Sequence, residues 1–245
     1  MGYDIKLPAA QKDEPSIQLE PLHRQAHAML DQYRDSLDGK EARFIHYCDM
    51  MTNLYWTNGD FPVAIKWGET GVRLKAETGV DTRYTSEHHL ALAQRDSGAI
   101  DPALTFFLQG ISLDEVINPD IMHDGKHGSY YGNIGRCLQF MGQIEPALIC
   151  YWKSAKLIES GDALIENHAY IRQWVGELLL KRNDLDAAKF FLVASVGKWQ
   201  LVSPPRKAHV ITILEKNFPG YETSVVLEEA EKSFQEWVKS ANVGL

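Results

Sequence analysis

The chain has 245 residues, 44% apolar and 24% charged, which excludes disorder over most of its length and allows a buried core without disulfide or metal support. Asp and Glu outnumber Lys and Arg by 33 to 25, a net charge of −8 that argues against a general binder of phosphate backbones. No apolar run reaches membrane-spanning length, and Met1 to Ser16 carries charges where a secretory signal needs an apolar core.

Three cysteines, Cys48, Cys137 and Cys150, sit within apolar, helical-looking stretches. An odd and sparse set reads as buried thiols in a reducing compartment, so a cytoplasmic protein is expected. In chain order, residues 1–17, with Pro8 and the Lys12 to Pro15 run, read as a flexible N-terminal tail. Residues 18–38 carry an apolar stripe through Leu22, Ala26, Met29, Leu30, Tyr33 and Leu37, which predicts a lone helix packing on the helices that come after it.

Residues 40–200 repeat one pattern four times. The segments Gly59 to Ala64, Gly98 to Ala103, Gly142 to Ala147 and Asn183 to Ala188 each run Gly or Asn, any residue, a large apolar residue, two more residues, then Ala. Ala64, Ala103, Ala147 and Ala188 stand 39, 44 and 41 residues apart. Eight residues before each Gly or Asn is an apolar residue (Met51, Leu90, Ile134, Val175), followed by a small one (Thr52, Ala91, Gly135, Gly176). A large residue follows each Ala by three or four positions: Trp67, Phe106 and Phe107, Tyr151, Phe191.

The pattern predicts helix–turn–helix hairpins. Gly or Asn accepts the left-handed conformation that ends a first helix, and Asp or Glu followed by Pro opens the second. The small residue of the first helix and the Ala of the second let two backbones approach, while the large residues fill the space between hairpins. The longest connection falls at 117–128. Ser203-Pro204-Pro205 starts a helix to Asn217, and Phe218-Pro219-Gly220 breaks it. A final amphipathic helix carries Val226, Leu227, Ala230, Phe234, Trp237 and Val238, so 203–245 reads as a degenerate fifth hairpin and C-terminal cap. Its outer face is assigned to Glu228, Glu229, Glu231 and Lys232.

These residues resemble the tetratricopeptide repeat family. Its pattern matches Ile134-Gly135, Gly142, Ile144, Ala147 and Tyr151 in the third repeat, and Tyr55, Gly59, Phe61 and Ala64 in the first. Leu90-Ala91, Gly98, Ala103 and Phe107 match in the second, and Val175-Gly176, Leu179, Leu185 and Ala188 in the fourth. Gly68 departs from the pattern, the proline usual at repeat ends is mostly absent, and the period exceeds the family's roughly 34 residues. In this it resembles the extended repeats of light-chain adaptors and peptide-sensing bacterial regulators.

The resemblance implies an all-α fold: a right-handed superhelix of stacked antiparallel helix hairpins, a TPR-like solenoid whose first helices line a concave groove. It places Asp49, Asn53 and Trp56 in that groove from the first repeat and His88 and Arg95 from the second. Arg136 and Gln139 come from the third repeat, and Tyr170, Gln173 and Glu177 from the fourth. Thr85, Asp96 and Phe140 are neighbours on the same strip. Arg95 and Arg136 are the expected carboxylate-binding groups, since a guanidinium meets a carboxylate in a two-point contact. The clamp that grips chaperone C-termini is not expected, because Asp49 stands where its first Lys belongs and His89 where its second Asn belongs.

Signatures of catalysis are scarce: no phosphate-binding Gly-rich loop, no G-x-S-x-G elbow and no CxxC pair. Adjacent His88 and His89 would point about 100° apart on a helix and could not readily share a metal. His123 and His127 flank Asp124 and Gly125 in a stretch that reads as a loop. Cys137 and Cys150 occupy core-like positions and Cys48 a packing position. The expected function is therefore a non-catalytic scaffold or adaptor with a protein or peptide partner, without cofactor, metal, nucleic acid or membrane. Two other readings remain: a peptide-sensing module acting on a separate effector chain, for which 1–40 shows no effector domain, and a self-assembling subunit pairing as a homodimer through Trp237 and Val238.

Overall fold

Gly59, Gly98 and Gly142 take φ of 83°, 94° and 77°, and Asn183 takes 64°, the left-handed conformation that Gly and Asn enter at least cost. In the computed structural model, which describes residues 41–80, 86–123, 128–161, 163–220 and 227–240, each of these positions separates two helices. The predicted tail and the predicted 18–38 helix lie outside the described residues. The chain is all-α over what is described, with eleven helices and no strand among those residues. It divides into two units, residues 1–106 and 107–245.

In the first unit, α1 (Glu41–Thr57) and α2 (Phe61–Thr78) form a hairpin, and α3 (Ser86–Ser97) packs on both. The Asp60 carboxylate accepts from the Val63 N–H and so closes the open amide end of α2, which has Pro62 in its first turn. Phe44, Ile45, Cys48, Met51 and Tyr55 of α1 meet Ala64, Trp67 and Leu74 of α2 in one apolar cluster. Gly68, a departure from the repeat pattern, marks a helix crossing. A methyl group there would lie 2.9 Å from Leu90 Cβ and 3.3 Å from its Cα. A further helix, α4 (Ile100–Leu108), begins in this unit, and its Phe106 ring meets His88 edge-on.

The second unit holds α5 (Leu113–Ile117), α6 (Gly128–Phe140), α7 (Ile144–Glu159), α8 (Ile165–Arg182), α9 (Leu185–Val202), α10 (Pro204–Asn217) and α11 (Leu227–Lys239). The pairs α6–α7 and α8–α9 are the hairpins that the repeat predicts, and α8 packs on both members of the preceding pair. The small-residue logic is visible atom by atom. A Cβ on Gly135 would lie 2.7 Å from the Tyr151 ring, and one on Gly176 would lie 2.7 Å from Leu192 Cγ. Ala147 and Ala188 are fully buried, as are Phe107, Tyr151 and Phe191, the large residues that follow the repeat alanines in this unit.

Two features of the second unit were not legible in the pattern. The connection after α4 carries the short helix α5, capped by Ser112 and tied down by Lys153 of α7, whose Nζ donates to the Val116 carbonyl at 2.5 Å. Lys153 is fully buried and lies over the Tyr131 ring, so its ammonium trades water for a carbonyl and an aromatic face. Next, α11 folds onto α9 and reaches α7. Trp237 and Val238, expected at an exposed end, are buried instead, because the Trp237 ring packs edge-on against Phe191 with centroids 5.3 Å apart. Glu231, assigned to an outer face, turns inward to Arg172 of α8.

Candidate partner-binding strips

Residues one repeat apart lie on neighbouring first helices, and three such pairs are bonded directly. In the first unit, Asp49 Oδ1 and His89 Nδ1 are 2.7 Å apart, and Trp56 Nε1 donates to Asp96 Oδ2 at 2.8 Å. In the second, Arg136 Nη1 donates to Glu177 Oε2 at 2.6 Å. The separations are 40, 40 and 41 residues, so the sequence period is also a spatial one.

The first-unit strip is closed by its own charges. Arg95 is 3% exposed and grips Asp96 through Nε and Nη2 at 2.7 and 2.8 Å, with Trp56 on the same carboxylate. Asp49 is buried against His89, and half-buried Asn53 lies between Asp49 and Trp56 along α1. The His88 ring lies against His89 and Phe106. Burial, followed by the neighbouring His89 and Arg95, pushes its pKa down to about 4, so His88 is neutral near pH 7.

The second-unit strip is larger and connected throughout. Arg136 also donates to Gln139 Oε1 at 3.0 Å, and that oxygen accepts from the Tyr151 hydroxyl. Gln173 Nε2 donates to Glu177 Oε1 at 2.7 Å, while its own carbonyl accepts from Trp199 Nε1 at 2.9 Å. The Arg136 guanidinium lies over Phe140 at 4.7 Å and over Trp174 at 5.6 Å. Tyr170 extends the aromatic run, with its centroid 5.0 Å from that of Trp174 and 4.8 Å from that of Trp199. Gln139 and Gln173 are buried, Arg136 and Glu177 are each 18% exposed in their side chains, and Phe140 is 44% exposed. The strip thus offers a half-open surface of aromatic faces around a neutralised ion pair.

All ten expected strip residues are described, and the structure gathers five of them, Arg136, Gln139, Tyr170, Gln173 and Glu177, into the second-unit strip. Neighbouring Thr85 lies outside the described residues, as do His127 and Asp124. Arg95 and Arg136 each already hold a carboxylate of the chain itself, Arg95 in a two-point contact with Asp96 and Arg136 through Nη1 with Glu177. Trp174, Trp199 and Arg206 also border this strip: Trp174 and Trp199 fall at no position of the repeat pattern, and Arg206 lies in α10, beyond the last recognisable turn. Cys48 and Cys150 are buried and their thiols are pushed up to about 12 by that burial, so neither is poised as a nucleophile.

Comparison with protein-family models, curated proteins and solved structures found no match to the chain. Among the described residues no helix is long and apolar enough to cross a membrane, and no three His, Cys, Asp or Glu side chains are grouped to hold a metal ion.

Proposed function

We propose that this is a tetratricopeptide-like repeat protein, its hairpins stacked as a right-handed superhelix, that acts in the cytoplasm as a non-catalytic scaffold or adaptor. It binds a peptide or protein segment on the strip formed by the first helices. The observation that carries this reading is the second-unit strip. Side chains from α6 and α8 are bonded into one rigid surface that leaves Phe140, Tyr170 and the edges of Arg136 and Glu177 within reach of solvent. Rigid aromatic faces bordered by satisfied polar groups suit recognition, because little side-chain freedom is lost on binding.

Selection of a random heptapeptide display library against the full chain tests the reading. A consensus sequence should emerge, and Tyr170→Ser together with Arg136→Ala should weaken its binding at least about tenfold without unfolding the chain. Absence of any consensus, or a consensus indifferent to both substitutions, counts against it.

A further inference from the structure

Arg73, Arg95, Arg136, Arg172 and Arg182 each lie within ion-pair distance of a carboxylate of the chain. Exposed Arg43 and half-buried Arg206 do not. Among the described residues the Arg206 side chain makes no hydrogen bond or ion pair, and its guanidinium lies over the Tyr170 ring at 5.0 Å and over Trp199 at 5.7 Å. An aromatic face fixes the plane of a guanidinium while leaving the N–H groups at its edge open to an acceptor. Arg206 is half-buried, so this edge is a preformed donor at the border of the strip.

Its setting strengthens the point. Arg206 and Lys207 lie in the first turn of α10, which carries no acidic residue. Cations are disfavoured there by the positive end of the helix dipole, so helix stability does not account for them. Together they make a local positive patch on a chain of net charge −8.

The geometry points to Arg206 as the anchor for a carboxylate of the bound segment, an Asp or Glu side chain whose apolar neighbour packs on Tyr170. This inference rests on the peptide-binding reading above and names the chemistry of the peptide. Tyr170 and Glu177 are seven residues apart on α8, about 10 Å along the axis. An extended peptide crosses that distance in about three residues. The acidic residue therefore sits about three positions from whatever meets the Arg136–Glu177 pair.

The test uses the full chain, the heptapeptide library, and Arg206→Gln and Arg206→Lys variants. The selected consensus should contain Asp or Glu at one fixed position. Fluorescence anisotropy should show about tenfold weaker binding when that acid is changed to its amide, and the same loss in Arg206→Gln with the acidic peptide. The two losses should not add, since they remove one contact, and Arg206→Lys should keep part of the affinity. A consensus without an acid, or an acidic peptide bound equally by Arg206→Gln, overturns the assignment and leaves peptide binding intact. No consensus at all sinks both. Should Arg206→Gln fail to fold, the amide peptide on the parent chain and the Lys variant decide.

Discussion

Arg172 of α8 and Glu231 of α11, 59 residues apart, are joined by two contacts: Nε to Oε2 at 3.2 Å and Nη2 to Oε1 at 2.7 Å. The same guanidinium donates through Nη1 to Glu159 Oε1 and to the His168 carbonyl, both at 2.9 Å, and lies 3.9 Å from the Phe234 ring centroid. Gln235 completes the link by donating to Glu159 Oε2 at 2.8 Å. One fully buried cation thus fastens α11 to α7 and α8.

Removing that cation leaves two carboxylates facing each other without their shared partner. Arg172→Ala is expected to lower the unfolding free energy by about 3–5 kcal/mol. Urea titration gives the magnitude, and hydrogen exchange should show protection lost first in α11. Protection lost equally everywhere would mean that α11 is not a separately fastened element.

Acid should act on this network in a defined window. Burial alone would raise the Glu159 carboxyl, but the hydrogen bond with His168 and the charge and bonds of Arg172 and Gln235 outweigh it and hold the pKa at about 2. A folded-state value below the unfolded one of about 4.5 gives stability that is fully present above pH 4.5 and lost as pH falls toward 2, amounting to about 3 kcal/mol. Glu231 is lowered as well and acts in the same direction. His88 adds an earlier loss. Its folded value of about 4 lies below 6.5, so the unfolded chain takes up its proton first and stability falls between those pH values. Chemical denaturation across pH 7 to 2 should show both stretches, with Glu159→Gln removing the lower and His88→Gln the upper. Unchanged profiles in the variants would place the acid sensitivity elsewhere.

Two glycines give opposite expectations for the same substitution. In Gly176→Ala the new methyl would sit 2.7 Å from Leu192 Cγ and 3.0 Å from its backbone nitrogen, so α8 and α9 must separate, at a cost of about 1–3 kcal/mol. In Gly197→Ala the nearest atom is Leu227 Cδ2 at 3.3 Å, the end of a part-exposed side chain that can turn away. Helix propensity then favours Ala by up to about 1 kcal/mol. Thermal melting of the two variants should move in opposite directions.

The hairpins were legible because each is written locally. Gly59, Gly98, Gly142 and Asn183 end their helices by a backbone preference that needs no distant contact, and Gly135 and Gly176 are small because a neighbour a few turns away fills their space. Their recurrence about every 40 residues also placed Asp49, Trp56, Arg136 and Glu177 on equivalent faces. Face and residue type did not reveal which atoms they meet. Arg95 and Arg136 read as open donors, yet each finds a carboxylate, one residue away in Asp96 and one repeat away in Glu177.

Beyond the last regular turn, local rules had less to say. The apolar stripe of α11 required that Ala230, Phe234, Trp237 and Val238 be covered, and a stripe is indifferent to what covers it. The Arg172 contacts with Glu159 and Glu231, together with the Phe191 ring against Trp237, chose α7, α8 and α9. Lys153 is a surface residue by composition and a buried tie by position, because only the folded connection supplies the Val116 carbonyl. Sequence alone determined where helices end and which faces are apolar, since backbone preference and periodicity act within a few turns. Tertiary structure decided how charges pair, since a salt bridge depends on distance in space and any carboxylate brought close enough will serve.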